Sequence, residues 1–516
     1  MICHWRAALL LSILYLLVGC ASTPPITRVP TAQAHCMQVF IDDDTALAKA
    51  GVHDAQATSV AGHPYLRIDR LLASFTDALS STEQRAAWLA RAAALDAQAR
   101  ALEHARLALP PDQSREHELR RCRATLLHAL KQDQAAWSAL RSAARVPDDY
   151  STARRAFGIY ALSSKALLQG VKRMQRSARP HMLDASAADA LPTERYGPAD
   201  ATAPTQSNVV AASWQRDALG VPRISADQLT QLLARHAPEL AIVTASRDDL
   251  PGHIHRTSAP YVDDRRATLY TQLAYTRFDD RVLPQLVYAW WFAARTARGV
   301  IDPLAGPLDG LSWRVTLDDD GAPLAYDVMH NCGCYHMFFP TARLRTRALT
   351  EDGTEPPWIP FTVPADWQGR LRVVLASGSH YVTALAPRSE RPSARRYDLR
   401  PYDQLRGLHD GERRTSLFDA RGLVPGSARG ERWLLWPLGV VAADSMRQWG
   451  IGDGRRVIRR RDTAVTAHAV GRDIADTRLT AGIGPAIKLG VRCAGREQRG
   501  STQHQQDRGM ALRHQG

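Results

Sequence analysis

Apolar residues recur at helical spacing in the first third of the chain and alternate with polar ones through its middle. Leu71, Leu72, Phe75 and Leu79, with Leu66 ahead of them, recur at three-to-four spacing, which predicts an amphipathic helix. Ser81-Thr82-Glu83-Gln84 predicts the start of a second, running through Trp88, Leu89, Ala92 and Leu95 to Leu109, before Pro110-Pro111. A third, over 114–145, places Leu119, Cys122, Leu126, Leu130, Trp137 and Leu140 on one side, and a fourth is expected over 151–174. Short connections make 64–175 an antiparallel helical hairpin or small bundle, and no fixed repeat period supports a helical array. Residues 176–222, rich in Ala, Pro, Ser, Thr and Asp, are expected as a linker, and Ser225 caps a short helix reaching His236.

Beyond Pro251 the period shifts to two. Residues 267–278, 285–293 and 311–317 are rich in Tyr, Thr, Val, Trp and Phe, and Asp318-Asp319-Asp320-Gly321 predicts a turn into a returning arm, 324–329. Two more strands, 370–376 and 380–385, flank the turn Ser377-Gly378-Ser379, whereas the Pro- and Arg-rich 386–402 reads as loop. Arg432 to Val441 is an apolar run long enough for one buried strand or short helix and too short to cross a bilayer. The fold class is therefore α+β, with a mainly antiparallel β-rich domain over 223–453.

The first 20 residues carry a different signal. Arg6 precedes the apolar run Ala7 to Gly19, which ends in Leu17-Val18-Gly19-Cys20, a layout of secretory signals. This ending resembles the lipobox of bacterial lipoproteins. The resemblance implies removal of residues 1–19, acylation of Cys20, and an envelope protein facing the periplasm with the membrane as its partner. Multiple acyl chains give stable anchoring. Ala21, where the family's inner-membrane members carry Asp, implies sorting to the outer membrane. Residues 20–63 are then the lipidated cysteine and a tether.

Composition narrows the picture further. The 516 residues suffice for two or three domains, and 45% hydrophobic with 23% charged residues is ordinary for a folded protein. Residues 454–516 hold 13 Lys or Arg against 5 Asp or Glu, more than half of the formal net charge of +14. That segment lacks periodicity and is expected to be a disordered basic tail. The abrupt break after Trp449 also matches a shifted reading frame, which the other frames of the coding DNA would reveal. Without a basic helix or an aromatic stacking motif, nucleic acid is not an expected partner.

Candidate chemistry concentrates in His330-Asn331-Cys332-Gly333-Cys334-Tyr335-His336. His330, Cys332, Cys334 and His336 are ligand types suited to zinc or copper. Residues two apart on a straight strand lie about 6.6 Å from one another, so one ion requires a bend at Gly333. A straight strand would instead make the segment the inner face of a core, and a local Cys332–Cys334 disulfide is a further alternative. His253 and His255 share one face of an extended segment and, with His380, could join a metal site. Cys36 and Cys122 are candidates for a bridge, as an oxidising compartment permits. The acidic pairs at 248–249, 263–264 and 279–280 fit turns, although one could supply a general base. No G-x-S-x-G elbow, zincin helix or P-loop is present. Two readings follow: a structural or interaction lipoprotein with envelope protein partners, or a metal-binding envelope protein, as a metal-dependent hydrolase or a carrier.

Overall fold

Ser81 and Gln84 form a reciprocal capping box, and the helix they start runs over Thr82–His104. The computed structural model describes residues 31–146, most of 169–182, 192–199, 214–278, 280–346, 358–367, 370–388, 393–435, 445–448 and 458–460. The signal sequence, Cys20, most of the fourth expected helix and nearly all of the basic tail lie outside the described residues.

The N-terminal part contains α1 (Thr31–Ala50), α2 (Arg70–Ala73), α3 (Thr82–His104), α4 (Gln113–Gln132) and α5 (Gln134–Ala143). Two expectations change here. Thr31–Ala50, inside the expected tether, is helical, because Cys36, Val39, Phe40 and Leu47 form a stripe buried against the other helices. The expected first helix shrinks to the short α2: His63–Ile68 is a strand paired with Thr58–Val60, Asp69 caps Arg70–Ala73, and turns follow over 74–78. The third helix is broken at Asp133, whose side chain accepts from the amides of Ala135 and Ala136 and so starts α5. Trp88, Phe40, Leu66, Cys122 and Leu140 make one core with Leu219, Val221 and Val282. A disulfide joins Cys36 to Cys122, linking α1 and α4.

The remainder is built on one ten-stranded sheet, whose strands are numbered within it: β1 (Thr193–Pro198), β2 (Glu239–Val243), β3 (Thr268–Phe278), β4 (Arg281–Arg295), β5 (Gly306–Leu317), β6 (Pro323–His330), β7 (Met337–Pro340), β8 (Leu371–Leu375), β9 (Val382–Pro387) and β10 (Arg395–Pro401). Their order is β7-β6-β5-β4-β3-β10-β1-β2-β8-β9. Pairing is antiparallel along β7-β6-β5-β4-β3, but β10 is parallel to both β3 and β1, and β2 is parallel to β8. The sheet is mixed and the fold is α+β.

Both parallel insertions come from stretches expected to lack structure. β1 lies in the expected linker and β10 in the expected loop. Tyr196 and Tyr397 are buried there, and the Tyr397 hydroxyl donates to the Pro238 carbonyl at 2.6 Å. Ser225 caps α6 (Ala226–His236) as expected, and Leu232 seats that helix on the sheet's main core. Of the run 432–441, Arg432–Leu435 forms a short helix, α7. Ile458–Arg460, at the start of the expected tail, pairs with Leu344–Thr346.

Buried ion pairs join the helical part to the sheet. Arg67 donates twice to Glu103, each bond 2.8 Å, and approaches Asp96 at 3.4 Å. Glu103 also accepts from the Asp54 amide at 2.7 Å, and the Asp54 carboxylate accepts two bonds from Arg406 at 3.0 and 2.8 Å. Because water is excluded, removing one member strands the opposite charge. Glu103→Gln is therefore expected to lower unfolding free energy by about 3–5 kcal/mol. Urea unfolding at unchanged m checks this; a loss below about 1 kcal/mol would show the network to be dispensable.

Candidate functional site

The chain does bend after β6. Gly333 has φ +92°, its amide donates to the His330 carbonyl at 2.7 Å, and the His330 amide donates to Cys334 O at 3.0 Å. The bend divides the four expected ligands instead of gathering them. Cys332 and Cys334 come together, with sulfurs 2.6 Å apart, while His336 turns to the opposite side. There its Nε2 lies 2.9 Å from Asp327 and 3.2 Å from Arg314, in a buried ion cluster beside the tilted Phe338 ring. His330, nearly inaccessible, faces Asp309 across 3.5 Å and makes edge contacts with Tyr335 and Tyr381. A single ion held by all four residues is thus not what the fold assembles.

The two cysteines instead meet Glu431. One ligand atom from each of Cys332, Cys334 and Glu431 lies within 4.8 Å of the others, and Cys334 Sγ is 3.9 Å from Glu431 Oε1. Both cysteines are free thiols, so the local disulfide is not formed. Either sulfur can be the donor in this contact. The contact, against burial, holds the Cys332 thiol below its usual range, whereas the contact and burial together push Cys334 well above.

The second half of the site was not legible as a motif. His380, from the turn between β8 and β9, is held by two carboxylates: Nδ1 lies 2.8 Å from Asp309 and Nε2 3.3 Å from Asp249. Its ring stacks on Phe292 at 3.9 Å. Asp309, on β5, also receives Arg429 at 3.2 Å. Asp249 accepts from the amides of Ala245, Ser246 and Gly378 and from the Ser377 hydroxyl. Asp249 thus has structural partners for both oxygens. β8 and β9 stand at the sheet edge opposite β6, so these contacts require the sheet to curl until its far turn meets β4 and β5.

Burial works against charge on His380, but Asp249 and Asp309 outweigh it and raise its pKa. Burial also opposes ionisation of Asp309, yet Arg429, His330 and His380 hold its carboxyl well below the usual range. His330 is pushed down by burial, with Asp309 opposing. Leu308, Tyr335 and His380 have φ of 55°, 60° and 51° and are the non-glycine residues with positive φ among those described. All three border this cluster. Each such conformation costs of order 1–3 kcal/mol, which the surrounding packing must supply, and such strain concentrates at functional positions. Gly310 lets β5 come close: a Cβ there would sit 2.4 Å from both Asn331 Nδ2 and Trp290 O.

His253 and His255 lie elsewhere, with rings 4.8 Å apart on the hairpin His253–Arg256 and Pro260–Asp263. His253 contacts Thr268 Oγ1 and Tyr270 OH, and burial lowers its pKa to about 4. His255 stacks on Tyr261. They form no three-ligand group among the described residues.

The paired carboxylates around His380 fix a pH signature. Its folded pKa is raised, so its ion pairs contribute fully below the unfolded value near 6.5 and fade as pH rises through the folded value. The stability gap between wild type and His380→Gln, from denaturant unfolding, should therefore be largest at pH 6 and shrink towards pH 9. A gap that grows with pH would contradict an ion-paired imidazolium.

No helix among the described residues is long and apolar enough to cross a membrane. No protein-family model, curated protein or solved structure matches the chain.

Proposed function

We propose that the chain is a lipid-anchored cell-envelope protein that binds a thiophilic divalent cation, zinc first, through Cys332, Cys334 and Glu431. The observation that carries this reading is the convergence of two thiols and one carboxylate in a largely water-excluded place. Two thiolates with an oxygen ligand form a borderline set, which suits zinc; copper(I) prefers sulfur alone. Zinc–sulfur bonds of about 2.3 Å at a tetrahedral angle hold two sulfurs about 3.8 Å apart. The sulfurs must then separate from 2.6 Å, and both thiol protons leave as the ion enters. Three protein ligands leave a fourth position open, the arrangement of catalytic rather than purely structural zinc sites.

The full chain, purified with thiols reduced, should carry close to one zinc per molecule by elemental analysis. Cys332→Ser or Cys334→Ser should reduce that at least tenfold, while His336→Gln, on the other side of the bend, should leave it unchanged. Equal metal content in all four proteins, or none in any, would sink the assignment.

The anchor rests on Leu17-Val18-Gly19-Cys20 and on the acylation its resemblance implies. Cys20→Ser should abolish incorporation of labelled fatty acid and shift the protein out of the membrane fraction. Undiminished labelling would contradict the anchor without touching the metal reading.

A further inference from the structure

Two groups in the cluster have hydrogen-bonding capacity that the described residues do not use. Arg295, at the end of β4, is 8% exposed. Its guanidinium lies over the Tyr381 ring at 4.8 Å and donates to the Tyr381 hydroxyl at 3.1 Å. No carboxylate among the described residues pairs with it, in contrast to Arg429 on Asp309 or Arg314 on Asp327. A guanidinium so enclosed has donors to spare, and Asp309 favours its charge through space without an ion-pair contact. The second group is His330, 1% exposed, whose ring nitrogens make no hydrogen bond. Its Nδ1 is turned to Asp309 at 3.5 Å, which leaves Nε2 as a bare acceptor in the tautomer that the carboxylate favours. Tyr381 touches both: it sits under Arg295 and 5.3 Å from the His330 ring.

We propose that Arg295 and His330 bind a small oxyanion that carries a hydroxyl, with Arg295 on the anionic oxygens and His330 Nε2 accepting the O–H. A hydroxycarboxylate and a hydrogen phosphate both have this chemistry. The planar guanidinium fork favours the carboxylate through two parallel bonds, whereas phosphate needs only the charge. The proposal rests on this cluster being a ligand site, as in the reading above, but requires no metal.

Glycolate, acetate and inorganic phosphate are added to the full chain in metal-free and zinc-loaded forms, with chloride at matched ionic strength as control, and binding is read from the thermal midpoint. Glycolate is expected to bind about tenfold more tightly than acetate, the worth of one hydrogen bond to a buried group. Arg295→Met should abolish the response to both. Arg295→Lys, which keeps the charge, should lose glycolate while retaining phosphate. His330→Phe should erase the preference of glycolate over acetate and leave acetate binding in place. A phosphate response without a glycolate response assigns the site to phosphoryl groups. Anions that act no differently from chloride, or a response that persists in Arg295→Met, would overturn the proposal. The metal-free arm separates its failure from that of the zinc reading.

Discussion

The buried Asp309 carboxylate holds the site together. It is fully enclosed, and it is ionised only because His380, Arg429 and His330 surround it. Those partners arrive from separate parts of the chain: a strand end at 330, a turn at 380 and an irregular segment at 429. A lone carboxylate in that position would cost several kcal/mol, so the acid, its two cationic partners His380 and Arg429, and the His330 ring are energetically interdependent. The curl of the sheet, which brings the turn between β8 and β9 onto β4 and β5, is fixed by the same contacts.

Around this anchor the backbone adopts conformations it would not choose alone. Leu308 precedes Asp309, Tyr335 follows Cys334, and His380 is itself in the left-handed region. The bend at Gly333 has the same consequence. It places Cys332 and Cys334 toward Glu431 and commits His336 to Asp327, so one turn separates a ligand pair from a structural ion pair. The helical part is held to the sheet by a parallel device, in which Arg67, Glu103, Asp54 and Arg406 leave no buried charge without an opposite one.

Local signals were legible where they are short-range. The Ser81 and Ser225 caps and the hairpin turn at Asp318–Gly321 depend on residues within one turn of one another, and they stand where the pattern predicts them. The bend at Gly333 was legible as a condition and not as an outcome, because strand parity alone fits either a straight or a turned segment. β1 and β10 were not legible: their burial is provided by neighbours far along the chain, and Pro, Arg and Gly dominate their composition. Asp309, Arg295, Arg429 and Glu431 carry no motif either, since each is an isolated charge whose partners are distant in sequence. A charged residue set between Leu308 and Gly310, ahead of the alternating stretch 311–317, was the one available hint.

X-ray absorption at the zinc edge of the reduced, zinc-loaded full chain tests the account most directly. Cys332, Cys334 and Glu431 predict two sulfur scatterers near 2.3 Å and lighter atoms near 2.0 Å, with the zinc–sulfur signal falling at least tenfold in Cys334→Ser. A shell of nitrogen and oxygen only, or one unchanged by Cys334→Ser, would show that the thiols do not hold the ion.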